Sequence, residues 1–262
     1  MARFCLAVPA LLLLLLFLLS TAPTTAEVLA SLSACDQFLL DRTPPRIPGI
    51  LEDGKILDQN RYKTICQTYK NKRCFVTLYD TRNKIPVFSA NRYRGVWEKK
   101  RPASKWKVEP QLENVENGEN MEEDKGRNCS HQAGNGDHRN NGSFDRGHLF
   151  PSSYGFNRTD KTATFTLTNI DPQAASLNKG SWNRMETCVR CLMDRHCVNS
   201  NNLTEGFVVT GARPSVAAGS AAGSTSRRFC GRRSAATAPA GTGGWPAPTG
   251  AATSRMRPGT ST

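Results

Sequence analysis

The sequence predicts an α+β domain over residues 27–211, and three observations carry that expectation. Runs such as Cys74-Phe-Val-Thr-Leu-Tyr79 and Gly206-Phe-Val-Val-Thr210 gather β-branched and aromatic residues into strand-length segments. Trp182, Met185, Val189 and Leu192 recur at steps of three and four, which would give a helix over 178–197 an apolar stripe. Strands separated by helical stretches, with no internal repeat, read as a single domain.

The first 26 residues hold one arginine, an apolar run from Cys5 to Leu19 and a small-residue ending at Thr24-Thr-Ala26. A membrane span needs roughly 20 apolar residues, so this run fits a cleaved secretory signal better. No later stretch is long and apolar enough to cross a bilayer, and a secreted or luminal protein is expected. In that compartment cysteines favour disulfides. With Cys5 gone, Cys35, Cys66, Cys74, Cys129, Cys188, Cys191, Cys197 and Cys230 remain. They suffice for four bridges, and the pairing stays open. Cys188-x-x-Cys191 beside His196-Cys197 is a weaker zinc pattern. Sequons at Asn128, Asn141, Asn157 and Asn202 suit the same export route as sites of N-glycans.

Phe75-Val-Thr-Leu-Tyr79 and Ile85-Pro-Val-Phe-Ser89 read as early strands. Residues 108–143, rich in Glu, Asn, Asp and Gly, read as a long mobile loop. That loop leads into Asp145-Arg-Gly-His148, where Gly147 lets the backbone pass close to a neighbour. A second block follows from Thr168: Thr-Asn-x-x-Pro-Gln-x-x-x-x-Asn-x-x-x-Trp-x-x-x-Glu186.

These residue types suit phosphodiester hydrolysis, which needs a deprotonated water, a cation to take up phosphoryl charge, and help for the leaving oxygen. His148 is the candidate base, because a neutral imidazole accepts a proton near neutral pH. Magnesium prefers oxygen ligands and keeps most of its waters, and Asn178 offers an amide oxygen. On a helix starting at Asn178, Glu186 stands two turns on, roughly 12 Å along the axis, so the two cannot both touch one ion directly. Each residue also has a plainer role open to it. His148 can hydrogen-bond a strand end, Asn178 can cap a helix, and Glu186 with Arg190 can form a surface ion pair. Arg101, near Arg92 and Arg94, can belong to a solvated basic face.

Taken with its spacing, the pattern resembles the DNA/RNA non-specific endonucleases of the ββα-metal class. Asn169 and Asn178 stand nine apart, Glu186 eight further on and Arg190 four beyond that, as in this family. The strands at 75–79 and 85–89 resemble its endonuclease domain-containing 1 subgroup, and the likeness runs from about Cys35 to Gly211. The resemblance implies a ββα-metal core around a central antiparallel sheet. It implies His148 as base, Asn178 as sole protein ligand of one mostly water-coordinated Mg2+, with Mn2+ as an alternative, and Glu186 holding one of the ion's waters. It further implies a catalytic role for Arg146, Asn169 and Arg190, that of Asn169 being to orient a site group, and phosphate binding by Arg101, Arg146 and Arg190. DNA and RNA would be cut with low sequence preference.

The formal charge of +13 agrees with a polyanionic partner, although seven arginines in residues 212–262 leave only +6 for the rest. That last segment lacks Asp, Glu, Lys, Leu and Ile and cannot bury enough apolar surface to offset its ordering entropy. It therefore reads as a disordered tail standing where the family continues with further strands, as an out-of-frame continuation would give. Two other readings follow: an inactive extracellular cationic module binding nucleic acid or glycans, and a non-functional truncated isoform.

Overall fold

The computed structural model describes residues 28–126, 128–138, 144–212 and 230–235. The expected signal segment, the Asn141 sequon and most of the expected tail lie outside these.

Twelve short strands are present among the described residues. β1 (Val28–Leu29), β2 (Leu51–Glu52) and β3 (Lys55–Ile56) precede the long hairpin strands β4 (Tyr62–Tyr69), β5 (Lys72–Asp80) and β6 (Ile85–Tyr93). β7 (Lys107–Val108) and β8 (Glu122–Glu123) pair with each other, as do β9 (Phe144–His148) and β10 (Ile170–Ala174). β11 (Gly206–Ala212) and β12 (Cys230–Ala235) complete a six-stranded sheet in the order β1-β4-β5-β6-β11-β12. Every pairing in that sheet is antiparallel. The expected strands at 75–79, 85–89 and 206–210 are all found, in a mixed α and β chain with a central antiparallel sheet. Of the residues after Gly211, Ala212 ends β11 and Cys230–Ala235 pair beside it as an edge strand.

Alternation along the strands gives the sheet two buried faces. Val76, Leu78, Phe88 and Ala90 pack against Leu32, Cys35, Phe38 and Leu39 of the amino-terminal segment. A disulfide joins Cys35 to Cys66 across a Cα separation of 5.9 Å. It is the only bridge among the described side chains, so the expectation of four is corrected: Cys74, Cys129 and Cys197 are buried thiols, while Cys188 and Cys191 are exposed on a helix surface.

The opposite face is part apolar and part polar, and it carries the candidate site. Phe75, Tyr93 and Val208 meet Phe150, Tyr154 and Met193 there. Beside them Gln67 donates to Thr168 at 2.8 Å and to Thr77 at 3.2 Å, and Thr77 meets Ser89 at 3.0 Å. A buried side-chain network thus fixes the sheet to the residue just before Asn169. Once satisfied, such a network specifies one packing.

Among the described residues there are four α-helices, in chain order α1 (Pro110–Glu113), α2 (Arg158–Ala163), α3 (Ala175–Leu177) and α4 (Asn183–His196). The expected helix over 178–197 is present, but it opens with a π turn at Asn178–Trp182, where Gly180 leaves helical angles. Its buried stripe also differs from the expected one. Trp182 and Met193 are buried and Leu192 is 52% exposed. At about 100° per residue Met193 lies some 20° from Trp182 around the helix, whereas Leu192 lies some 80° away.

The expected mobile loop over 108–143 is also corrected where it is described. The Glu113 carboxylate accepts the Ser130 and His131 amides, and Gln132 exchanges two 2.7 Å hydrogen bonds with the Glu109 backbone. Met121 donates to Thr68 of β4 at 2.9 Å. Glu109, Gln111, Glu113 and Gln132 thus anchor the segment, while other polar residues such as Glu116, Glu122 and Lys125 face solvent.

Gly147 sits opposite Asp171 in the β9–β10 ladder, and a Cβ there would strike the side chain of Gln173, which is 5% exposed. We expect Gly147→Ala to lower stability by about 1–3 kcal/mol, since overpacking a closed site forces neighbours off their rotamers. Urea unfolding should show most of that loss recovered in Gly147→Ala/Gln173→Ala. Wild-type stability in the single variant would contradict this close approach.

Candidate active site

The candidate site grows from the end of β9. Arg146 and His148 are two apart on this strand and so point to one face of the hairpin. Beyond His148 the pairing continues in a different form. Leu149 donates to the Asn169 carbonyl at 2.9 Å, and the Asn169 side chain takes over at the next residue. Its Oδ1 accepts the Phe150 amide at 3.0 Å, while its Nδ2 donates to the carbonyls of Phe150 at 3.0 Å and Thr164 at 3.1 Å. Asn169 is fully buried with its amide consumed by backbone. These bonds suit a residue that orients the strand end carrying His148, which is the orienting role expected of Asn169.

His148 is 9% exposed and stands between two aromatic rings. The Trp106 ring lies 5.5 Å from it and the Phe165 ring 5.1 Å, nearly perpendicular. The amide of Lys107 donates to the Phe165 carbonyl at 2.9 Å, which ties the segments carrying the two walls together. Each wall is covered by an arginine: the Arg146 guanidinium lies 4.9 Å over Trp106, and that of Arg101 lies 5.0 Å over Phe165. Arg146 also donates to Asn135 at 2.9 Å.

This enclosure determines the imidazole's proton affinity. Burial, with the Arg101 charge adding to it, pushes His148 down to about 3, against an opposing hydrogen bond to the Arg146 backbone. Nε2 is buried without a hydrogen-bond partner, so the Arg146 carbonyl holds Nδ1 as the protonated nitrogen and the Nε2 lone pair stays open. The imidazole is neutral throughout the physiological range.

Asn178 is tied to the same hairpin. Its Nδ2 donates to Asp145 Oδ2 at 3.1 Å, and Lys179 pairs with the other Asp145 oxygen at 3.2 Å. Asn178 begins the π turn and follows α3 as its C-cap rather than serving as a helix N-cap, a place that Ala174 takes for α3. Because the carboxylate demands the NH2 end of the amide, Oδ1 is the end left to face a cation. Among the described residues no cluster of three or more His, Cys, Asp and Glu side chains could hold a metal ion. A single amide oxygen with waters is a donor set that suits Mg2+. Glu186 is half-buried two turns on, and its backbone carbonyl accepts the Tyr154 hydroxyl at 2.9 Å.

The remaining candidates separate by their partners. Arg92 pairs with Glu205, and Arg94 pairs with Asp160 at 2.9 Å. Arg101 instead lines a cavity of about 510 Å³ together with Arg190. The structure thus unites His148, Arg146 and Arg101 around two rings, links Asn178 to the strand through Asp145, and sets Arg190 beside Arg101. Trp106, Phe165 and Lys161 escaped the sequence reading. Trp106 had a signal in Lys-Arg-Pro-x-x-x-Trp, whereas nothing local marks Phe165 or Lys161.

An antiparallel pair followed by a helix, presenting an open imidazole lone pair, an amide oxygen and several cations, has the composition of a phosphodiester-cleaving site. The chain belongs to the DNA/RNA non-specific endonuclease family, whose model matches residues 53–216. It is 33% identical to the human endonuclease domain-containing 1 protein over 202 residues, covering 71% of this chain and 35% of that one. The mouse protein of the same name is 31% identical over 204 residues, with the same coverage. Human mitochondrial endonuclease G is 38% identical over 71 residues, 27% of this chain and 24% of that protein. A chain from the crystal structure of the EndoG/EndoGI complex aligns at a TM-score of 0.39 and 20% identity, over 55% of this chain and 54% of that one. This chain spans about a third of the length of the endonuclease domain-containing 1 proteins.

The depressed His148 has a consequence for stability. Its folded value lies below the ordinary 6.5, so the unfolded chain binds the proton first as pH falls. Stability from this group is present above about pH 6.5 and is lost as pH drops toward 3, amounting to about 2 kcal/mol by pH 5. Urea unfolding at pH 7.5 and pH 5 should show that loss in the wild type and a smaller one in His148→Asn. Equal losses in both proteins would contradict a buried, neutral His148.

Proposed function

We propose that this chain is a secreted, metal-dependent endonuclease that hydrolyses phosphodiester bonds of DNA and RNA with low sequence preference. The observation that carries the reading is the open Nε2 lone pair of His148, held between two arginine-capped rings. His148 takes the proton of the attacking water. Nε2 is sealed in the free protein, so the water enters with the substrate. An incoming phosphate offsets the Arg101 charge that depresses His148 and so strengthens the base as it is needed.

Arg101, Arg146 and Arg190 hold the phosphate, and the fork of a guanidinium matches phosphoryl oxygens in pairs. Asn178 would hold one Mg2+ or Mn2+ through Oδ1, and Glu186 would orient a water of its shell. Such an ion supplies charge stabilisation to the phosphoryl oxygens. Asp145 keeps the Asn178 amide turned the required way. Contacts to phosphate rather than base edges account for low sequence preference.

The family membership and the domain-containing 1 relatives support a nuclease role. Export is supported by the apolar segment at Cys5–Leu19 and by the Cys35–Cys66 bridge. Among the described residues no helix is long and apolar enough to cross a membrane. Asn128 and Asn202 are exposed glycan acceptors, whereas Asn157 already caps α2 through its side chain.

The purified protein, incubated with plasmid DNA or RNA, should cleave with Mg2+ and stop when a chelator is added. His148→Ala should lose roughly 10²- to 10⁴-fold in rate while retaining nucleic-acid binding. Asn178→Ala should need more Mg2+, and Glu186→Gln should lose about 10- to 100-fold. Full activity in chelator would remove the metal, and near-wild-type turnover of a folded His148→Ala would remove His148. Binding without cleavage would favour the inactive cationic module instead.

A further inference from the structure

Arg101, whose charge bears on His148, also lines the cavity of about 510 Å³. Lys99, Lys161 and Arg190 line it too, against a single carboxylate, Asp194, which already accepts the Tyr93 hydroxyl. Two of its groups sit in an environment that is costly for a closed protein interior. Lys161 is 3% exposed, and its Nζ donates to the Ser152 carbonyl at 3.1 Å without a carboxylate partner. Ser152 is also 3% exposed, and its hydroxyl has no hydrogen-bond partner. An ammonium has three protons to donate, so Lys161 keeps donors in reserve.

A buried ammonium that no carboxylate contacts directly and a buried hydroxyl without a partner are expensive unless something completes them. Burial and the charges of Arg190 and Arg101 hold Lys161 below the usual lysine range, against the opposing charge of Glu98. A phosphate would answer each need at once: negative charge for the cations and acceptors for the Lys161 and Ser152 donors. The scissile phosphate lies, on the reading above, near His148, and one strand of nucleic acid places its next phosphate about 3.4 Å further along the helix axis.

We propose that Lys161 and Ser152 form the floor of a second phosphate subsite, which receives the backbone phosphate next to the scissile one, with Arg101 shared between the two. This rests on the nuclease reading and adds a substrate requirement to it. A linkage is cut well only when a charged neighbour on one side occupies the cavity. The protein therefore discriminates by phosphate count rather than by base.

The test uses a thymidine trinucleotide with two linkages, in which either one is replaced by an uncharged methylphosphonate and cleavage of the other is followed. In the wild type, neutralising the neighbour on one side should lower kcat/KM by roughly 10- to 100-fold, the value of a charge-assisted hydrogen bond. Lys161→Met should cleave the unmodified trinucleotide at that reduced level and show no further loss with the methylphosphonate. Ser152→Ala should shrink the loss in the same sense, and it serves if Lys161→Met does not fold. Wild-type cleavage that ignores the neighbour's charge would overturn the subsite while leaving the nuclease reading intact, and so would an undiminished penalty in a folded Lys161→Met or Ser152→Ala. Failure of the wild type to cleave even plasmid DNA would overturn both.

Discussion

The three backbone hydrogen bonds of the Asn169 side chain hold the site together. One side-chain amide extends the β9–β10 ladder past His148 and at the same time holds the Thr164 carbonyl, next to Phe165. Without it the strand end and the aromatic wall would have no common anchor. With it, a backbone that the sheet has already fixed through Gln67 and Thr168 dictates where the imidazole stands. Rigid placement of this kind is what an acid–base group requires, since catalysis depends on geometry held before the substrate arrives.

The surroundings then decide the chemistry. An imidazole in water titrates near neutrality, and about a quarter of its copies would be charged at pH 7. Trp106 and Phe165 remove the water, and the Arg101 charge over Phe165 opposes a proton on the imidazole. The Arg101 cation thus favours a neutral imidazole in the free protein, and an anion bound beside it would offset that charge. The cost is a polar atom buried without a partner, and such atoms gather at functional sites for this reason.

Much of this was legible in the sequence wherever a local pattern decides the outcome. Alternating β-branched and aromatic residues marked the strands at 75–79, 85–89 and 206–210, and the spacing from Asp145 to Arg190 carried the family resemblance that pointed to the candidate site. What stayed hidden depends on contacts distant in the chain. Residues 108–126 look solvated because Glu109, Gln111 and Glu113 are polar, yet their partners lie in the chain about them and buried polar groups are allowed when paired. Leu192 and Met193 fit a helical stripe almost equally well, and only the direction of the sheet chooses between them. Asn169 looked like a site group because it sits in the motif, and only the folded chain reveals that its amide is spent on backbone. Phe165 and Lys161 come close to His148 and Arg190 through folding alone.

The central claim is a sealed, neutral His148 whose environment is maintained by Asn169. Nuclear magnetic resonance of the protein with labelled histidine tests it most directly, by following the four imidazoles through a pH titration. One imidazole, absent from the spectrum of His148→Asn, should stay neutral to below pH 5 in the wild type. In Asn169→Ala that imidazole should move back toward the ordinary histidine range. A wild-type His148 that titrates near 6.5 would show that the imidazole is not sealed by its surroundings.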